Sequence, residues 1–229
     1  WKKLGDVTAQ QPRFRLEGTG ELRTRTLVPE TPAARQLLAT PGATGLEQAL
    51  RGFLGTLEGR ATTSDIKGIA LSTDRLGFGA NAYIGIIDSK WHGDGPNAVF
   101  PSLPAKEDST VKRAQQLLLN LGNIHTNSGA LAVATDGWIS LGPVVSQELK
   151  SLASGAVKDA AVGQRVAYVM RHEGEHTFTQ LEPDFVKSDK PVDTSGSWLE
   201  EGTADVLSRW PGAIERTAAA MGLPHEKLG

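Results

Sequence analysis

Apolar positions along the chain fall into a few stretches with helical or strand period, separated by breaks rich in glycine, proline and polar residues. Leu50, Phe53, Leu54 and Leu57 share one face of a helix predicted over Leu46 to Leu57. Residues 66 to 88, "IKGIALSTDRLGFGANAYIGIID", mix β-branched residues with glycine and predict two strands joined by a turn, followed by the glycine-rich loop "WHGDGPN". Val111, Ala114, Leu118 and Leu121 form the stripe of a helix from about Ser109 to Leu121. In "GALAVATDGWISLG", residues 129 to 142, two short apolar runs flank Thr135-Asp136-Gly137, which signals a hairpin. A helix is expected from Pro143 to about Leu152, and Asp159 is placed to cap a long helix that Pro183 brings to an end near Leu181. A polar loop, Glu182 to Gly196, leads into "SWLEEGTADVLSRWPG", where the capping-box spacing of Ser197 and Glu200 predicts a helix from Trp198 to just before Pro211. The first sixty residues, polar apart from the Leu46 helix, read as an N-terminal appendage to a main domain over 61–229.

Composition narrows the field without choosing within it. The chain has 229 residues, 39% hydrophobic and 22% charged, which is enough apolar material for a buried core. A formal charge of −2 and the lack of any Lys/Arg cluster give no footprint for nucleic acid or an anionic membrane. No apolar run approaches the roughly 18 residues of a membrane span. The absence of cysteine removes disulfides, thiol nucleophiles and cysteine-ligated zinc sites. The chain starts at Trp1 without an initiating Met, as a processed product would; with no Cys, this tilts an otherwise open localisation toward secretion or the cell envelope.

The chemistry concentrates in "RHEGEHTF", residues 171 to 178. On a helix, i and i+4 lie one above the other, so His172 and His176 can offer two imidazole nitrogens to one metal ion. Glu173 stands beside the first ligand, where its carboxylate can reach a metal-bound water; this is the H-E-x-x-H pattern. The plain alternative is an exposed helical turn with paired charges, Arg171 with Glu175. A catalytic zinc takes three protein ligands, and the helix after Ser197 offers Glu201 and Asp205, again i and i+4 on one face. With Glu200 occupied as the capping-box partner, Glu201 is the free carboxylate, and Asp205 is placed to accept the second N–H of a ligating histidine. Small Gly202 and Ala204 would let this helix approach the zinc helix closely. The plain alternative here is an acidic solvent-facing stripe.

"HEGEH" followed after 24 residues by "EGTAD" resembles the gluzincin zinc metallopeptidases, whose signature is H-E-x-x-H with a downstream E-x-x-x-D. "WLEEG" is similar to the W-L-x-E-G of the aminopeptidase-like branch, and E-x-x-A-D to the HtpX and CAAX-protease-like branch. "DGWISLGPVVSQEL" also resembles the hairpin and helix of that second branch, without the Asn of its first strand. The metzincin continuation is excluded, since Thr179 and Glu182 occupy its Gly and His positions. "GTAD" is similar to the G-T-x-D of aspzincins, which would move the third ligand from Glu201 to Asp205, although Ser208 and Arg209 replace that family's Tyr-Gly.

The gluzincin resemblance implies an α+β, zincin-like fold: a small mixed β-sheet packed on a zinc-binding helix, with a second, mostly helical subdomain. It implies Zn2+ held by His172, His176 and Glu201, Asp205 behind a ligand, and Glu173 as general base in amide hydrolysis. By analogy, the hairpin strand Trp138, Ile139, Ser140, Leu141, or its partner, would bind an extended peptide or protein substrate by edge pairing, as an endopeptidase does. Gluzincins usually add a Tyr or His donor for the oxyanion; His225 follows the third-ligand helix as such a donor would, while Tyr168, one turn before His172, reads as a core or supporting ring. A zinc hydrolase acting on a non-peptide bond would share the ligands, and a non-catalytic or vestigial domain acting as a binding module is the remaining class.

Overall fold

The helix expected over Leu46 to Leu57 forms, and it is the centre of the packing rather than an outlier. In a computed structural model that describes residues 7, 9–59, 66–82, 131–135, 137–179 and 195–226, helix α2 (Ala43–Thr56) buries Leu46, Ala49, Leu50, Phe53 and Leu54. Their 3–4 residue spacing gives one continuous apolar stripe. That stripe joins a single core with Phe14 and Leu27 from the N-terminal segment and Ile69, Leu71, Ile139 and Leu141 from the sheet. The described part of residues 1–60, read from the sequence as an appendage, is therefore built into the main core.

Five strands form one mixed sheet in the order β2-β1-β3-β5-β4: β1 (Arg13–Glu17), β2 (Thr26–Pro29), β3 (Gly68–Leu71), β4 (Ala132–Thr135) and β5 (Trp138–Leu141). Only β3 and β5 run parallel; the other three pairings are antiparallel. Every residue of β3 and β5 is buried, as central strands covered on both faces require. Alternation sorts their side chains: Ile69, Leu71, Ile139 and Leu141 enter the main core, whereas Ala70 and Trp138 pack together on the other face, where Arg13 lies over the Trp138 ring, 4.2 Å from its centroid. The hairpin β4–β5 turns as predicted, with Ala134 opposite Ile139 and Gly137 at φ +77°.

The remaining helices among the described residues are α1 (Pro32–Leu38), α3 (Arg75–Ala82), α4 (Pro143–Ala153), α5 (Ala160–Thr179), α6 (Ser195–Ser208) and α7 (Ala213–Ala220). With α2 they give seven helices on a five-stranded sheet, an α+β arrangement. α4 and α5 follow their sequence signals: Pro143 opens α4, and the Asp159 carboxylate accepts from the amides of Ala161 (2.8 Å) and Val162 (3.1 Å) at the start of α5.

Two expectations change. Where a second strand was expected after Leu71, the chain turns into α3, because Asp74 accepts from the Gly77 amide (2.7 Å) as a helix cap does; residues 83–88 lie outside the described part. α6 begins at Ser195, so Ser197 sits inside the helix instead of capping it, and the capping box with Glu200 has no end to close. The helix expected over 109–121 and most of the 182–196 loop also lie outside the described residues.

α5 is the longest element among the described residues, 20 residues and about 30 Å. It buries Val166, Ala167, Val169 and Met170, and at Gly174 it comes so close to α2 that a Cβ there would sit 2.9 Å from Leu57 Cδ2 and 3.2 Å from Phe53 Cζ. The glycine at the centre of "HEGEH" thus faces the core. Rotated away from it, the next face of α5 meets α6, its most extensive partner.

Candidate metal centre

On the face of α5 that meets α6, His172 and His176 stand one turn apart with their Nε2 atoms 3.1 Å from each other. Their rings meet edge to face, centroids 4.7 Å apart at 81°. The carboxylate of Glu201 reaches in from α6, with Oε2 3.3 Å from His172 Nε2 and 3.5 Å from His176 Nε2. These three side chains form the one cluster among the described residues whose donor atoms could together hold a metal ion. A tetrahedral set with metal–ligand bonds of about 2.0–2.1 Å spaces its donors about 3.3–3.4 Å apart. The observed separations of 3.1, 3.3 and 3.5 Å bracket that value, so two imidazoles and a carboxylate fit a three-ligand site.

The two sides of the cluster differ in exposure. The histidine side chains are largely buried, at 17% and 10%, whereas Glu201 is 63% exposed, so the centre opens to solvent along α6. Burial, and then the neighbouring His176, hold the pKa of His172 below its ordinary value; Glu201 and Asp205 oppose the shift. The neutral imidazole thereby favoured is the form that ligates metals.

Glu173 lies on the buried side of the same turn. Burial, and secondarily the charge of Glu201, push its pKa up to about 8, against a hydrogen bond from the backbone N–H of Ala134 that favours the carboxylate. A cation held among the three ligands would oppose the upward push, since it neutralises Glu201 and attracts a second carboxylate. The Ala134 contact links this acid to β4, the strand that packs on α5.

Asp205 sits one turn beyond Glu201 and points to different partners. Its Oδ1 accepts from the Tyr168 hydroxyl (2.6 Å) and from Arg209 Nε (2.7 Å). Asp205 was expected to accept the second N–H of a ligating histidine; His172 Nδ1 is instead buried without a hydrogen-bond partner among the described residues. Nor is Asp205 beside both imidazoles; that carboxylate belongs to Glu201, which favours it over Asp205 as the third donor. Gly202 brings no close approach, since a Cβ there would meet only open space; of the two small residues, Ala204 is the one that is buried.

His225 and the strand Trp138–Leu141 do not reach the cluster in the expected way. Pro224 packs on the first turns of α5, where a Cβ on Gly163 would lie 1.9 Å from its carbonyl oxygen. Gly163 precedes His172 by nine residues, about 13 Å along the helix. His225 Nδ1 is meanwhile engaged with the Leu223 carbonyl (2.9 Å), so His225 belongs to the far end of α5. Strand β5, with Trp138, Ile139, Ser140 and Leu141, is paired on both sides, to β3 and β4, and presents no edge; its hairpin partner β4 is the outer strand on that side of the sheet among the described residues.

Arg209, not expected at the site from the sequence, lies beside it. Its guanidinium donates to Asp205 and, through Nη2 (3.3 Å), to the Tyr168 oxygen, and lies 4.7 Å from the centroid of the Tyr168 ring. The signal was present: 201, 205 and 209 continue the same i, i+4 step.

No protein-family model, no curated protein and no solved structure matches the chain.

Proposed function

We propose that the protein is a zinc-dependent hydrolase that cleaves peptide bonds, with His172, His176 and Glu201 as zinc ligands and Glu173 as general base, on a zincin-like domain. The observation that carries this reading is the near-equilateral triangle of donors at 3.1, 3.3 and 3.5 Å, with a buried carboxylate on the residue next to the first ligand. A site that only holds a structural metal has no use for that acid, whose burial is costly. Two imidazoles and one carboxylate, with no thiolate available in the chain, form the donor set of catalytic zinc in hydrolases.

Zinc bound there would supply Lewis acidity, polarising a carbonyl and bringing a water's pKa to about 7. Glu173 takes the proton of the attacking water and returns it to the departing amine, so the same carboxylate serves as base and then as acid. The Ala134 N–H orients that carboxylate while it carries charge. The solvent-open side at Glu201 is the side from which a substrate can approach.

Metal analysis of the purified protein, together with cleavage of an unfolded protein substrate by wild type and Glu173→Gln, tests the proposal. Stoichiometric zinc in both, with activity reduced on the order of 100- to 10,000-fold in the variant, is expected. A protein that takes up no zinc, or a variant as active as wild type, would sink it.

A further inference from the structure

Six side chains stand in two facing rows. Tyr168, His172 and His176 follow one another at intervals of four on α5; Glu201 and Asp205 do the same on α6, and Arg209 continues the step just past its last residue, Ser208. The helices run antiparallel here, because Glu201 meets His172 and His176 while Asp205, further along α6, meets Tyr168, further back on α5. One end of the rows is the metal-ligating cluster. The other end is a closed set of contacts: the Tyr168 hydroxyl donates to Asp205 at 2.6 Å, Arg209 donates to Asp205 at 2.7 Å and to the Tyr168 oxygen at 3.3 Å, and its guanidinium covers the Tyr168 ring.

Two facts give this second set a role at the first. A ligating histidine normally has its other ring nitrogen held by an acceptor, which fixes the ring. His172 Nδ1 is buried and has no such acceptor among the described residues, so its ring is oriented by packing, between Tyr168 (centroids 5.9 Å apart, tilted 45°) and His176. Glu201, for its part, is 63% exposed. One turn away on its helix, Asp205 is hydrogen-bonded to Tyr168 of α5.

Resting on the metal reading above, we infer that Tyr168, Asp205 and Arg209 are positioning residues that lock α6 against α5 and thereby hold Glu201 and the His172 ring in ligating geometry. None of the three touches the ion or a substrate. They lower the cost of assembling the site, since a ligand already in place loses less freedom on binding.

The test measures Zn2+ dissociation constants by competition with a chromophoric chelator, and the visible spectrum of the Co2+-loaded protein, for wild type, Tyr168→Phe, Asp205→Ala, the double variant and Glu201→Ala. Asp205→Ala should weaken zinc binding on the order of 10- to 100-fold. Tyr168→Phe, which keeps the ring and removes only the hydroxyl, should weaken it less and in the same direction. Because the two act through one contact, the double variant should be no weaker than Asp205→Ala alone. The Co2+ spectrum should shift in each, which mere loss of fold stability would not produce. Affinities within about twofold of wild type, or losses that multiply in the double variant, would overturn the inference even as Glu201→Ala confirmed the metal site. If wild type binds neither ion, the metal reading fails on its own account, and hydrogen exchange of metal-free α6 decides the clamp. Faster exchange over residues 201–208 in Asp205→Ala and Tyr168→Phe supports it, and unchanged exchange overturns it.

Discussion

One turn of α5 carries two side-chain pairs with the same spacing and opposite consequences. Arg171 and Glu175 join as an ion pair at 2.6 Å, with side-chain exposures of 13% and 1%, and Arg171 also donates to the Thr56 carbonyl (3.1 Å) at the end of α2. His172 and His176, one position further on, face α6 and converge on a carboxylate. In "RHEGEHTF" a pair of charges and the histidines of the candidate metal cluster both occur, about 100° apart around the helix axis. The charged pair is not an exposed ornament, however. It places a cation at the C-terminus of α2, where the last carbonyls favour one, and it fixes the rotation of α5 about its axis. That rotation decides where the histidines point.

The strongest way to separate the two faces is to break each and compare what fails. Glu175→Ala leaves the Arg171 charge buried against α2 and should cost about 3–5 kcal/mol of stability, read by urea unfolding of the metal-free protein. Replacing both partners with apolar residues of similar volume, Arg171→Met with Glu175→Leu, should recover most of that loss. A single variant as stable as wild type would mean the pair holds nothing in place. On the other face, Glu201→Ala should weaken zinc binding more than about 100-fold, beyond the usual effect of a residue behind a ligand, and leave metal-free unfolding nearly unchanged. Asp205→Ala should weaken binding less. The reverse order would assign the third ligand to Asp205 and unseat the arrangement of carboxylates described above.

What the sequence made legible divides along the same line. The histidines, Glu173 and Glu201 could be found because each relation is local: i, i+4 on one helix, or a carboxylate on a second helix with its own i, i+4 partner. The cap of α5 at Asp159 and the β4–β5 hairpin are local signals as well. Strand order is not local. Nothing in "WISL" says that β3, some seventy residues earlier, will pair along its far side and leave β4 at the edge. Residues 13–17 and 26–29 offer few apolar positions of their own, and they become strands because the sheet edge at β3 accepts β1. α3 differs again: Asp74 is a local cap signal, but the glycines at 77 and 79 favour a turn and oppose it. The i, i+4 spacing from Glu201 pointed Asp205 toward a ligating histidine, but its partner is Tyr168, one helical turn before His172.

The smallest expected effect bears on that last contact. Tyr168 and then Arg209 hold the pKa of Asp205 below its ordinary value of 3.8. A carboxyl whose pKa is depressed in the folded state stabilises the fold above its unfolded value, and the contribution disappears as pH falls through the lower, folded value. Asp205 is 42% exposed, so solvent screens most of this and the change is slight. Urea unfolding of the metal-free protein at pH 5 and at pH 3 should therefore show a slightly smaller loss of stability on acidification for Asp205→Asn than for wild type. Arg171 and Glu175 variants should not alter that difference, because they lie on the other face. If Asp205→Asn loses as much stability on acidification as wild type does, the tyrosine contact carries no net energy, and α6 must be held against α5 by its buried side chains, Ala204 and Ser208 among them.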